Sequence, residues 1–222
     1  RGFFGAGIDE SYAIVQLYRN NETDPNVRAT EQELFEGLEA KSVNCWPSVK
    51  FDIGAIKCWG DVATLGLGFS ESEDGFGDGY LETGDMLPFL SLPSGTTATM
   101  IEAGGTHTCA VLDNNELICW GANDYGQLGM GNTSYLGDDV SEVGDNFATV
   151  ELPPGRNVSQ LALGNTHTCV IWDDGSVSCW GSNDNGELGI ENTNHIGDAG
   201  SEMGSNLGFV SFPNGNTAEN IT

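Results

Sequence analysis

A skeleton of residues recurs at an interval of sixty, and this period constrains the chain more than any single motif. His107-Thr108-Cys109 returns as His167-Thr168-Cys169, and Cys119-Trp120-Gly121 returns as Cys179-Trp180-Gly181. Asp124-Tyr125-Gly126-Gln127-Leu128-Gly129 returns as Asp184-Asn185-Gly186-Glu187-Leu188-Gly189, Gly137-Asp138 as Gly197-Asp198, and Leu152 as Phe212. A looser copy precedes these two. With a fixed period the repeat is the unit of structure, and a motif met in every copy reads as architecture rather than as a lone active site.

Within a copy, the stretch from Thr108 to Trp120 reads as a hairpin. Cys109–Leu112 supplies one strand, Asp113-Asn114-Asn115 the turn, and Glu116–Trp120 the return strand. The next copy turns on Asp173-Asp174-Gly175, with glycine where a three-residue loop needs a positive φ. Counting outward from that loop sets Leu112 against Glu116 and Cys109 against Cys119, and likewise Cys169 against Cys179. Direct cross-strand β-carbons lie about 4.5–5.5 Å apart, and a disulfide wants about 3.5–4.5 Å, so these cysteines are expected to bridge. Cys45 and Cys58 form the third local pair and are expected to do the same. Six cysteines in matching places point to an oxidising compartment.

Two more strands fall in each unit. One carries Ala148–Leu152, matched by Phe209–Phe212 and Pro88–Leu92. The other carries Ser159–Leu163, matched by Thr99–Ala103. The expected fold is therefore all-β, in propeller-type blades of four antiparallel strands. Residues 1–17 end on the tail strand of a preceding repeat (Ala13–Leu17), and 18–44 form an insertion with a short helix begun by Thr30 and Glu33. Residues 45–92 are a degenerate repeat, 93–152 and 153–212 are full repeats, and 213–222 begin a further one. The chain thus offers about three repeats with partial repeats at both ends. A longer closed ring, a ring shared between chains, and an end-to-end fibre all complete such a stack.

The succession Gly-x-x-His-Thr-Cys-Ala/Val followed by Cys-Trp-Gly-x-Asn-x-x-Gly-x-Leu-Gly resembles the regulator-of-chromosome-condensation repeat family. The resemblance covers residues 99–152 and 159–212 and implies a propeller of about seven four-stranded blades. It weakens over 45–92, where no His-Thr precedes Cys45 and the hairpin is three residues longer, although Cys58-Trp59-Gly60 survives. It also implies that His107 and His167 are structural.

Charge narrows the function. Lys and Arg number 7 against 33 Asp and Glu, a net charge of -26 over 222 residues. Such a surface repels phosphate backbones and anionic membranes. No apolar run approaches the length of a membrane span. The chain offers no Gly-x-Ser-x-Gly elbow and no Lys-bearing phosphate loop. The local pairing of the cysteines argues against thiol nucleophiles, and His195 carries no catalytic signal.

Three sets of residues remain as site candidates. Asn21, Asn132, Asn157 and Asn220 head Asn-x-Ser/Thr sequons in stretches that read as loops or chain ends, where N-linked glycans fit. Asp78 with Glu82, Asp138 with Glu142, and Asp198 with Glu202 stand four apart in glycine-rich loops. Calcium takes carboxylate oxygens from such loops, and the same carboxylates equally serve to cap backbone amides in a long turn. The tryptophans at 46, 59, 120 and 180 each follow a cysteine. They are expected to stack on the adjacent disulfide, with an exposed carbohydrate platform as the alternative.

These readings point to a non-enzymatic, extracellular structural or interaction protein without a required cofactor, working with other protein chains and associating with itself. A subunit of a glycosylated fibre or surface coat is the concrete form. A secreted-hydrolase inhibitor is the alternative. An exchange factor for a small GTPase follows only from the family resemblance and sits poorly with the charge.

Overall fold

In this computed structural model the described residues are 43–44, 48–50, 54–58, 65–68 and 89–221. The expected tail strand at 13–17 and the helix begun at Thr30 lie outside them. The described strands form three antiparallel sheets of three. The first holds β1 (Val43–Asn44), β2 (Ser48–Lys50) and β3 (Ile56–Cys58). The second holds β4 (Ala98–Ala103), β5 (His107–Leu112) and β6 (Leu117–Gly121). The third holds β7 (Val158–Leu163), β8 (His167–Trp172) and β9 (Val177–Gly181). No helix among the described residues is long and apolar enough to cross a membrane.

The hairpins follow the count made from the turn. Val111 faces Leu117, Cys109 faces Cys119, and Leu112 N–H donates to the Glu116 carbonyl at 2.8 Å. The third sheet repeats this with Ile171 opposite Val177 and Cys169 opposite Cys179. Gly175 takes φ +78°, and Asn115, its counterpart, takes +67°, a conformation that asparagine tolerates better than most residues.

The expected fourth strand contracts to an edge contact. Thr149 makes an isolated bridge to Ile118, and single amide bonds run from Leu90 to Ile56, Val150 to Leu117 and Val210 to Val177 at 2.8–2.9 Å. Pro93, Pro153 and Pro213 follow directly on Leu92, Leu152 and Phe212 and mark where each segment leaves the sheet.

Burial shows how the sheets stack. Every residue of β6 and β9 is buried, so both faces of each sheet are covered where a neighbour packs. Alternation along the strand sends successive side chains to opposite faces. From the second sheet, Ala110, Leu112, Ile118 and Trp120 join Ile56, Cys58 and Leu65 of the preceding repeat in one apolar cluster. Cys109, Val111, Leu117 and Cys119 point the other way and join Val170, Trp172, Trp180 and Met203 of the following repeat. The core is thus a series of seams between repeats.

This alternation corrects the expected stacking of tryptophan on the adjacent disulfide. Trp120 and Cys119 are consecutive in β6 and so face opposite seams. The disulfide of 93–152 shares its seam with Trp180, the tryptophan of the next repeat. Both Trp120 and Trp180 are fully buried, which removes them as carbohydrate platforms. Trp46 and Trp59 lie outside the described residues.

Candidate functional site: the seam between repeats and the loops above it

Cys109 is joined to Cys119 and Cys169 to Cys179, each pair with Cα atoms 4.1 Å apart. The third pair is a correction. Cys58 is a free, buried thiol. Its cross-strand partner is Ser48, because β2 and β3 are set by Lys50 opposite Ile56 and Val49 opposite Lys57. Cys45 precedes Ser48 by three residues, the same number by which this hairpin is longer than the others. Cys45 itself lies outside the described residues. Burial pushes the Cys58 thiol up to about 12, so it is held protonated.

The His-Thr pair is the hinge of the seam. Adjacent residues of one strand face opposite ways, so His107 points towards the next repeat while Thr168 points back from it. His107 Nε2 lies 2.7 Å from Thr168 Oγ1. The Thr168 hydroxyl donates to the Gln127 carbonyl at 2.9 Å, and the Trp180 indole N–H donates to the same carbonyl at 3.0 Å. A hydroxyl that gives its proton to Gln127 accepts from His107, which fixes the imidazole as the Nε2–H tautomer. Glycines let the two backbones meet alongside: Gly105 N–H donates to the Gly164 carbonyl across the seam at 3.1 Å. His107 and His167 thus occupy structural positions on their strands, and no carboxylate or serine joins them in a catalytic arrangement among the hydrogen bonds described.

The asparagine of Cys-Trp-Gly-x-Asn holds the loop above each seam. Buried Asn123 accepts from Leu128 N–H at 2.9 Å and donates to the carbonyls of Asn132 and Ser134 at 2.8 and 3.0 Å. Asn183 does the same with Leu188, Asn192 and Asn194. This amide has four hydrogen-bonding sites and uses three of them to join a β-turn to a distant loop. Sequence reasoning did not assign this role, although recurrence of the asparagine at the sixty-residue period was a signal for it.

The acidic loops are also organised from within. Glu142 accepts from Gly137 N–H at 2.9 Å, and Glu202 accepts from Gly197 and Ala199 N–H at 2.9 and 3.2 Å. Asp139 begins a short 3-10 turn, Val140–Glu142, by accepting from Ser141 N–H. Asp145 accepts from the Ser94 amide and hydroxyl, which hold its carboxyl below the usual carboxylate range. Asp138 and Asp198 are half-buried beside these glutamates in the chain. Among the described residues no three His, Cys, Asp or Glu side chains converge to hold a metal ion. Asp78 and Glu82 lie outside the described residues.

The sequon asparagines are on the surface where described. Asn132, Asn157 and Asn220 are exposed. Asn132 donates to Met130 and accepts from Ser134 N–H, a local turn that Asn192 reproduces. Asn157 donates to Asp173 at 3.2 Å. Asn21 lies outside the described residues. His195, which carried no signal in the sequence, sits edge-on to Tyr125 of the preceding repeat at 5.1 Å and accepts from Asn183 N–H.

Residues 101–127 and 158–187 match the regulator of chromosome condensation (RCC1) repeat. The two matched segments are similar to RCC1 repeats. The matched segments run from β4 through the hairpin to Gln127 and from β7 through the hairpin to Glu187, so they contain the whole seam relay. Among curated relatives, the chain is 31% identical over 133 residues to the human regulator of chromosome condensation, covering 59% of this chain and 29% of that protein. It is 31% identical over 127 residues to the ultraviolet-B receptor UVR8 of Arabidopsis thaliana, covering 56% of this chain and 27% of that one. A stretch of 56 residues is 55% identical to sarcosine oxidase subunit alpha of Rhizobium meliloti, covering 25% of this chain and 6% of the oxidase subunit. The chain spans less than a third of the length of each of these relatives. In fold, Prp20p of Saccharomyces cerevisiae superimposes with a TM-score of 0.51 at 16% identity, over 78% of this chain and 39% of Prp20p. That likeness in fold agrees with the propeller-type architecture expected from the strand pattern.

Proposed function

We propose that this chain is a non-enzymatic extracellular repeat protein that presents its loop surface to other protein chains. One contrast supports the reading. The polar side chains that join the repeats and tether the loops, such as His107, Thr168 and Asn123, are buried, whereas several exposed loop positions change from one repeat to the next. Tyr135 becomes His195, Val140 becomes Gly200 and Tyr125 becomes Asn185. Val140 is 74% exposed and Tyr135 39% exposed. A constant frame beneath a variable loop surface is the organisation of a binding scaffold.

The disulfides within the hairpins support an oxidising compartment, and exposed Asn132, Asn157 and Asn220 are then glycan sites. Self-association into a fibre or surface coat is the concrete form of the assembly. The test is mass spectrometry of protein from its native source, with thiols blocked before reduction, together with electron microscopy of the same material. The reading expects intact Cys109–Cys119 and Cys169–Cys179 bridges and assembled particles or filaments. Free thiols at those four positions would overturn the extracellular assignment, and monomeric particles alone would overturn self-association.

A second reading follows from the relatives. Prp20p has been described by its binding to Gsp1p and histones, and a regulatory protein-binding role of that kind uses the same loop surface. A reduced thiol at Cys109 in native material would favour it.

A further inference from the structure

We propose that His107 is an acid-sensitive latch that holds repeat 153–212 on repeat 93–152 and releases it on protonation. The inference rests on the surroundings of one ring. His107 is 1% exposed. Its Nε2–H is committed to Thr168 across the seam. Its Nδ1 is buried with no hydrogen-bond partner. In the neutral ring that atom carries a lone pair, and a bare lone pair is tolerated more readily than a bare donor. A proton placed there becomes a buried N–H with no hydrogen-bond acceptor among the described residues.

Glu102 of β4 stands opposite Cys109, on the same sheet face as His107, but burial and His167 are what act on the ring. Gly104 lies against the Cε1–Nδ1 edge, so close that a Cβ there would fall about 3 Å from both atoms. From the next repeat come the Thr168 hydroxyl, already donating to Gln127, and His167, whose charge opposes a second positive charge nearby. Glu187 acts on His167. Desolvation, with His167 second, lowers the His107 pKa from 6.5 to about 3. The sign follows from linkage. The closed seam binds no proton at His107 above about 3, whereas the opened seam binds one below about 6.5. Closure is therefore fully favoured above that upper value and is lost progressively as pH falls.

The seam on the other side of repeat 93–152 supplies an internal control. It contains no histidine, since the chain has only His107, His167 and His195. An amide bond crosses each seam: Gly204 N–H to the Glu151 carbonyl at the His107 seam, and Gly144 N–H to the Ser91 carbonyl at the other, at 2.8 and 2.9 Å.

Hydrogen exchange of the full chain reads both amides after equilibration between pH 7 and pH 4, corrected for intrinsic rates. The proposal expects opening at Gly204 to rise on the order of 50–100-fold between pH 6 and pH 4, with Gly144 much less affected. His107→Gln, which keeps an N–H donor and cannot titrate, is expected to remove the difference between the two amides. Equal acid responses at Gly204 and Gly144 in the unmodified chain would overturn the proposal. So would an unchanged response at Gly204 in a folded His107→Gln protein. If that variant does not fold, His107→Asn takes its place, and the comparison of the two amides in the unmodified chain decides by itself.

Discussion

His107 of one repeat and Thr168 of the next meet at 2.7 Å across the seam, and this contact explains why the two residue types stand side by side in the sequence. Neighbours in a strand point to opposite faces. A histidine facing forward and a threonine facing back therefore interlock with the same pair in the adjoining repeat. In repeat 153–212 the corresponding His167 is half-buried, whereas His107, closed in by the next repeat, is buried.

Gly126 and Gly186 separate seam packing from backbone preference. Both have positive φ, +77° and +82°. A Cβ at Gly126 would collide with the backbone of Gly197 and Asp198, whereas nothing lies within 4 Å of one at Gly186. Gly186→Ala is expected to cost about 1 kcal/mol, the penalty for a left-handed alanine. Gly126→Ala adds a backbone clash and is expected to cost about 2–3 kcal/mol more. Urea unfolding of the two variants measures the difference.

Asn123→Ala tests the loop tether. The substitution leaves Leu128 N–H buried and unpaired and frees two carbonyls. The expected loss is about 2–4 kcal/mol, read by denaturant titration. Asn123→Asp should be worse at neutral pH, because a carboxylate cannot donate to the carbonyls of Asn132 and Ser134.

Much of this frame was legible in the sequence, and the failures have physical causes. The turn length and the sixty-residue period gave the register of β5 with β6, hence the Cys109–Cys119 bridge. The same logic does not carry over to Cys58, because its hairpin is three residues longer in the sequence and Ser48 stands opposite it in the ladder. The fourth strand is shorter than its alternation and apolar content suggest, each segment keeping a single amide bond to the neighbouring strand. The seam relay was not legible. It joins the Gln127 main-chain carbonyl to side chains 41 and 53 residues away, and a carbonyl has no sequence signature.

Cys58 gives a chemical test of the corrected pairing. Its buried, protonated thiol is expected to resist alkylation in the native chain and to react after unfolding without reductant. Labelling followed by peptide mass analysis reads this directly. A Cys45–Cys58 bridge would leave Cys58 unlabelled under both conditions.

Removing the bridge in 93–152 by Cys109→Ala with Cys119→Ala is expected to cost about 2–4 kcal/mol. Both sulfurs also fill the seam against Val170 and Trp180, so the loss should lie in the upper part of that range. Reduction of the native protein, which keeps the sulfur atoms in place, should cost less. Thermal unfolding of the variant beside reduced and oxidised native chain orders the three.

The central claim is that the recurring His-Thr pair couples one repeat to the next. A double-mutant cycle on His107→Ala and Thr168→Val, followed by urea unfolding, measures that coupling most directly. If the pair interlocks across the seam, the double variant is less destabilised than the sum of the single variants by about 1 kcal/mol or more. Additivity within about 0.5 kcal/mol would contradict the claim and leave the two residues as independent parts of their own repeats.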